Sequence, residues 1–509
     1  MSSKILSTTS LGLNSFLVEV EADIQRALPR FIIVGLANTE IQEAKERVKA
    51  AIMNSDLKYP RTNLVVNLAP ADLKKIGNHF DLPIALSILQ DKDTIPCDGD
   101  IFKESLFVGE LAFNGNLRPI SNIISICLFV KEKKFKNVFI PEDNLKEAKA
   151  ISNINIFPVK NLNQIVDYLN KKTDIKSYKS RGLNKINNLT KSDDEYDFSL
   201  IRGQEHAKRA LIIAAAGGHN AAMTGPPGSG KTLLARSLPS ILPDLTDKEI
   251  LEVSRIYSSI GLLNKENPLI TKRPFRSPHH SSSLVSLVGG GSIPRPGEIS
   301  LSHRGILFMD ELPEFSKKSL EALRQPLEDG KIIIARAQMT LQFPSSFILI
   351  TAQNPCPCGY YGDLNKECTC SPLQIKNYQQ KISGPLLDRI DIHLMVGRVK
   401  YKELEKQTNA ESSQNIKNRI YNARKIQNIR FKNENIFVNS EMNLKLIKKY
   451  CRIPESAKQL LKQAVQTYNL SARAYFRLLK TARTIADLEN TPNIKTEHIA
   501  EALQYRKME

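Results

Sequence analysis

The sequence predicts an α/β protein in which a phosphate-binding core, closed by a helical carboxy-terminal region, follows a separate mixed α/β domain. Three observations carry this. The string Gly225-Pro-Pro-Gly-Ser-Gly-Lys231-Thr232 lies between the apolar run Ala221–Met223 and a helical pattern over Leu233–Leu238. The runs Ile306–Met309 and Phe347–Ile350 are short and uniformly apolar, as in the buried strands of a parallel sheet. From about Tyr401 onward long charged helical patterns dominate, among them Ala457–Thr467 and Ala472–Leu488.

The amino-terminal region mixes strand-like runs (Phe31–Val34, Leu64–Val66, Asn137–Pro141) with helical patterning over Glu40–Met53 and Leu82–Leu89. Between Lys171 and Asp197 apolar periodicity lapses, a basic run gives way to an acidic cluster, and the segment reads as a linker. A chain of 509 residues exceeds what one hydrophobic core usually serves. The expected division is therefore a domain over 1–170, a linker over 171–196, an ATPase core over 197–397 and a helical lid over 398–509.

Composition narrows the function classes. Hydrophobic content of 41% and charged content of 25% are ordinary for a globular protein. No apolar run approaches the roughly 18 residues that spanning a bilayer requires, and Met1–Leu13 lacks the apolar block and small-residue site of a secretory signal. A cytoplasmic protein without a membrane partner is expected. The formal charge of +19 suits a polyanion, although lysine is abundant throughout and part of the excess reads as general composition.

The loop from Gly225 to Thr232 fits GxxxxGK[ST] in the required strand-to-helix context. Its glycines let backbone N–H groups turn toward phosphates, Lys231 can reach β/γ oxygens, and Thr232 can ligate Mg²⁺; Pro226, Pro227, Gly228, Ser229 and Gly230 complete the cradle. The strand ending in Asp310-Glu311 supplies the complement. Asp310 is placed to hold Mg²⁺ and Glu311 to orient the attacking water. Lys231 and Asp310 are much further apart than a simple strand-helix-strand crossover of about 30 residues requires, so the region between them holds an insertion. Its segments Arg273–His280 and Gly289–Gly297 are rich in turn formers and read as exposed loops.

Cys97, Cys127 and Cys451 stand alone and read as reduced thiols, whereas Cys356, Cys358, Cys368 and Cys370 crowd into one loop as two Cys-x-Cys pairs. Four thiols so close in a reducing compartment suit a structural Zn²⁺, with free thiols or occasional disulfides as the alternative. Cys-x-Cys is tighter than the usual knuckle spacing.

The pieces RPFRSPHH, GGGSIPRPGEISLSHRGILFMDELPEF, NPCPCG and GPLLDRIDIH, with VGLANTEIQEAKERVKAAI, VNLAPADLKK, FDLPIAL and VGELAFNGNLRPI upstream, resemble the ComM/YifB family of magnesium-chelatase-like AAA+ ATPases over nearly the whole chain. The resemblance implies an AAA+ core with ATP and Mg²⁺ as cofactors. It makes Asn354 the sensor-1 residue, Arg389 an arginine finger for a neighbouring subunit and Arg473 a sensor-2 residue on the lid. A finger acting in trans requires an oligomer, and the family favours a hexamer. Residues 1–170 are similar to the α+β Lon-protease-type domain of the ribosomal-S5-like superfamily. A Ser/Lys dyad is not found where it would align, since Ala71–Leu82 lacks a serine and Ser121–Ile124 lacks a lysine. That domain is expected to be an assembly or nucleic-acid-binding platform.

The resemblance further implies a helicase acting on branched or single-stranded DNA, promoting strand integration in homologous recombination and natural transformation. Arg273, Arg276, His279 and His280, and Lys331 and Arg336 on a strand resembling a hairpin before sensor 1, are the candidates for gripping the phosphate backbone. Solvated loop charge is their alternative reading. The competing function is a chelatase-like ATPase that remodels a protein or cofactor complex.

Overall fold

Along Asn14–Gln25 the side chains alternate in burial, with Val18, Val20 and Ala22 turned inward, as the period of two in a half-buried strand demands. This strand pairs antiparallel with Ile5–Leu11 and Asn63–Ala69, and Arg30–Val34 closes the sheet in parallel with Asn63–Ala69. The structure, a computed structural model, describes residues 3–96, 99–180, 182, 196–264, 266–336, 339–363, 366–399, 411–434, 436–468 and 470–506. Cys97 and most of the expected linker lie outside them.

The chain forms two units, Met1–Thr190 with Thr246–Thr271, and Lys191–Leu245 with Lys272–Glu509. In the first, the sheet just described shares a core with helices Thr39–Asn54 and Asp81–Asp91. A second sheet runs in the order Tyr178–Lys179, Asn155–Val159, Asn137–Pro141, Ser105–Phe107. Its pairing corrects the expected boundary at 170. Tyr178 pairs with Ile156 and lies beneath the Lys149 ammonium, 4.3 Å from the ring centroid, so the chain is still part of this unit there.

The second unit has a five-stranded parallel sheet in the order Phe275–Arg276, Ile306–Met309, Ile348–Gln353, Ala221–Thr224, Ile392–Met395. Thr224 lies opposite Gln353, and Met309 opposite Thr351. The strand ends therefore release Gly225, Asp310 and Asn354 along one carboxyl edge, where open α/β sheets place ligands. Helix Glu205–Gly217 and the carboxy-terminal helices Ser413–Arg430, Leu444–Tyr450, Glu455–Thr467, Ala472–Leu488 and Thr496–Gln504 share one hydrophobic core with the sheet. The regions expected as separate core and lid thus fold around common apolar side chains, among them Ile306, Phe308, Ile350, Leu478 and Ile485.

Two further expectations change. Thr246–Thr271 was expected within the ATPase core, yet it belongs to the first unit. Its helix Asp247–Ser259 begins with a capping box between Thr246 and Glu249, and Arg255 donates to Ser125 and to the Leu13 carbonyl. Arg273–His280 and Gly289–Gly297 are more than exposed loop: Pro274 is buried, Phe275–Arg276 is an edge strand, and Gly289–Gly290 pairs with Arg295–Pro296. Here buried apolar contacts outweigh the turn-forming composition.

Candidate functional site

Strand Ala221–Thr224 ends at Gly225, where a Cβ would lie 2.1 Å from the Val396 carbonyl oxygen, so only glycine fits. Gly228 and Gly230 have φ of +74° and +86°, in the left-handed region that side chains disfavour, and open space where a Cβ would stand. Helix Lys231–Ser237 follows at once. The loop thus presents free backbone at a helix start, as phosphate recognition requires.

The Lys231 ammonium donates to the carbonyls of Gly225 (2.7 Å) and Pro226 (3.0 Å) and to Asn354 Oδ1 (3.3 Å). Burial lowers its pKa, and the Asp310 charge opposes that shift. Thr232 Oγ1 donates to Asp310 Oδ2 at 2.8 Å, placing both expected Mg²⁺ ligands in contact. The buried Ser229 hydroxyl has no protein partner. An open glycine cradle, an orphaned hydroxyl and a paired hydroxyl and carboxylate fit a magnesium nucleotide.

Glu311 sits at φ +50° and is more than half exposed. Its carboxylate meets His280 Nδ1 at 3.3 Å. The His280 ring lies 4.1 Å from that of His279 and edge-on to Phe315. His280, read in sequence as a phosphate-gripping residue, is therefore a neighbour of Glu311. Only the three-dimensional return of the insertion reveals this.

The other insertion cations are engaged internally. Arg276 forms a bidentate pair with Glu298 (2.6 and 2.7 Å), and Arg273 donates to the carbonyls of Pro243 (2.6 Å) and Arg304 (2.7 Å). Both brace the insertion through these contacts. His279 is exposed and contacts Ser281. Lys331 and Arg336 occupy opposite ends of strand Lys331–Arg336, which forms a hairpin with Met339–Pro344. Arg336 faces Gly290, where a Cβ would stand 3.1 Å from its guanidinium and 3.3 Å from Val285.

Arg389 and Arg473 come together at one carboxylate. Arg389 is buried, donates to the Pro385 carbonyl (2.7 Å) and pairs with Glu328; Arg473, largely exposed, approaches the same Glu328 at 3.6 Å. The described contacts of Arg473 thus join it to the finger candidate, not to the phosphate loop of its own chain. Sequence reasoning missed the buried carboxylate two residues after Arg389. Asp391 is buried and bonded to Arg477 (2.6 Å) and His219 (3.2 Å); against desolvation, the Arg477 charge and the His219 hydrogen bond hold its carboxyl well below the usual range. The Asp391 carboxylate so near Arg389 in GPLLDRIDIH was the available signal.

The four loop cysteines have sulfurs all within 4.8 Å of one another. No helix among the described residues is long and apolar enough to cross a membrane.

Comparison with known proteins agrees with this geometry. Residues 197–404 match the family model "Magnesium chelatase, subunit ChlI", 20–144 match "Subunit ChlI of Mg-chelatase", and 410–506 match the model of the ChlI C-terminal region. Competence protein ComM of Haemophilus influenzae is 41% identical, covering 99% of this chain and 97% of its own. The uncharacterized protein YifB of Escherichia coli is 38% identical over 100% and 98%. The magnesium-chelatase 67 kDa subunit of Heliobacterium mobile is 28% identical over 33% of this chain and 29% of its own. The chain belongs to the ComM/YifB family of magnesium-chelatase-like AAA+ ATPases.

Proposed function

We propose that the chain is a ring-forming, ATP-driven DNA motor that migrates branched DNA and promotes strand integration in homologous recombination and natural transformation. The observation that carries the reading is the meeting of the insertion with the hairpin. Arg336 and Val285 face each other across Gly290, with exposed Leu284 adjoining Val285 in the chain, while the same insertion reaches Glu311 through His280. A basic and apolar tip can hold phosphate and base. Its link to the hydrolytic acid gives ATP turnover a route to whatever the tip holds. The net charge of +19 and the full-length similarity to a competence protein support DNA as that partner.

The residues divide the chemistry. ATP with Mg²⁺, when bound, supplies the reactive phosphoanhydride and screens its β/γ oxygens. Lys231 and the loop amides would bind the phosphates, Thr232 and Asp310 would hold the metal, Glu311 would orient water, and Asn354 would report on the γ-phosphate. Arg389 and Arg473 meet at Glu328, and we read Arg389 as the arginine finger for an adjoining subunit's site and Arg473 as the sensor-2 residue, hence a homo-oligomer, in this family reading a hexamer. A structural Zn²⁺ in the cysteine loop completes the cofactor set. The first unit is read as a Lon-type platform for assembly or nucleic acid, and the setting as cytoplasmic.

The chelatase similarity favours a second reading, an ATPase that remodels a protein or cofactor complex. Fork-DNA binding followed against salt separates the two. The motor reading expects affinity that falls steeply with salt and is reduced by Arg336→Glu. Absence of fork binding at low salt by a chain that hydrolyses ATP contradicts it.

A further inference from the structure

We propose that Cys356, Cys358, Cys368 and Cys370 bind one Zn²⁺ that clasps the sensor loop onto the phosphate-binding loop, so that nucleotide affinity depends on metal occupancy. The coupling rests on the ATPase reading; the metal site stands on its own geometry.

The sulfur of Cys356 lies 3.4 Å from that of Cys358 and 3.7 Å from that of Cys368, and Cys358 and Cys368 are 3.5 Å apart. Four thiolates at the vertices of a tetrahedron with Zn–S bonds of about 2.3 Å stand about 3.8 Å apart. A disulfide would bring one pair to about 2.05 Å, and all four cysteines are free. In a four-iron cluster each thiolate serves a different iron and in a two-iron cluster only two share one, so four sulfurs all within 4.8 Å of one another are too close together for either. One ion at the centre accounts for the spacing.

The surroundings are those of thiolate ligands. Backbone N–H groups of Tyr361 and Cys358 donate to the sulfurs of Cys356 and Cys370, each at 3.4 Å. Such outer contacts orient ligands and accept part of their negative charge. Cys356 is fully buried and the other three are half-buried, leaving the ion an entry path.

Position gives the site its consequence. Cys356 follows Asn354 by one intervening proline, and Asn354 touches the Lys231 ammonium. Gly359, at φ +85° in the turn that carries Cys358, packs on Pro227 so closely that a Cβ would lie 2.6 and 2.7 Å from its Cδ and Cγ. Gln379 of helix Pro372–Gln379 donates to the Pro355 carbonyl at 3.1 Å. An ion bonded to Cys356 and Cys358 therefore fixes the backbone between sensor and phosphate loop. The second Cys-x-Cys pair ties that turn to the segment leading into helix Pro372–Gln379.

The test uses the full chain purified without chelator from zinc-supplied cells. Native mass spectrometry and elemental analysis are expected to find one zinc per chain, with the four thiols protected from alkylation in the folded protein. Release by a mercurial, followed by thiol recovery, is expected to weaken binding of a fluorescent ATP analogue at least tenfold, and added Zn²⁺ to restore it. The double variant Cys368→Ser/Cys370→Ser is expected to lose the metal and resist that rescue, while Cys451→Ser keeps both. A chain that binds nucleotide while metal-free, its four thiols alkylating at once, overturns the site. Stoichiometric zinc whose removal changes affinity less than twofold overturns the clasp and leaves the metal. Zinc-loaded protein that binds no nucleotide overturns the ATPase reading instead.

Discussion

Replacing Asp391 by asparagine removes the charge that joins the segment after Arg389 to helix Ala472–Leu488. Asp391 holds Arg477 at 2.6 Å and His219 at 3.2 Å, and the Asn220 amide donates to it at 3.3 Å. His219 is fully buried and also contacts Thr484 of the same helix at 2.8 Å. Asparagine keeps the shape but leaves the Arg477 cation facing a neutral group. Breaking one side of a buried pair costs about 3–5 kcal/mol. At about 2 °C per kcal/mol for a large unit, the melting midpoint of the second unit is expected to fall by roughly 6–10 °C.

The pH dependence has a definite sign. The folded carboxyl is depressed, so its contribution is present above the unfolded value near 3.8 and is lost as pH falls through the lower folded value. The gap between wild type and Asp391→Asn in scanning fluorimetry should therefore be constant from pH 6 to 8 and close under strong acid. Asp388→Asn, half-exposed nearby, serves as the control. A shift below about 2 °C for Asp391→Asn, or a gap that widens toward acid pH, would refute the buried-pair account.

Three further outcomes follow from particular contacts. His280→Ala should lower kcat for ATP hydrolysis about tenfold with KM little changed, because the imidazole fixes the direction of Glu311 and touches no phosphate-binding group; an unchanged kcat would make the contact incidental. Glu328→Gln should reduce steady-state hydrolysis while nucleotide binding by a fluorescent analogue persists, since Arg389 and Arg473 lose the carboxylate that gathers them. Glu147, buried among Ser258, Asn144 and Ile124, has its carboxyl pushed up to about 7 by desolvation. A raised carboxyl stabilises the fold below the unfolded value near 4.5 and loses that contribution as pH rises to about 7, on the order of 3 kcal/mol. Glu147→Gln should remove this fall from the melting profile of the first unit, and equal pH slopes for the two proteins would contradict it.

Much of the nucleotide site was legible because its chemistry is local. The strand, glycine turn and lysine around Gly225 are contiguous, and Ile306–Met309 with its two acids follows the same rule. Helix Ala472–Leu488 was legible from period alone. What escaped was set by distant partners. Arg273 and Arg276 look like free loop cations until Pro243, Arg304 and Glu298 come within reach. Thr246–Thr271 sits between two core motifs in sequence, and only the contacts of Arg255 with Leu13 and Ser125 reveal that it packs in the other unit. Arg273–His280 and Gly289–Gly297 were read as loop because turn-forming residues mask the buried Pro274 and the pairing of Gly289–Gly290 with Arg295–Pro296.

The central claim is that this ATPase spends its turnover on branched DNA. Its direct test measures ATP hydrolysis and strand displacement together, with forked and three-stranded substrates at low salt and Lys231→Ala as the inactive control. The account predicts hydrolysis stimulated several-fold by the branched substrates, with strand exchange that requires ATP and disappears in Lys231→Ala. Robust hydrolysis indifferent to DNA, with every substrate strand left in place, would contradict it.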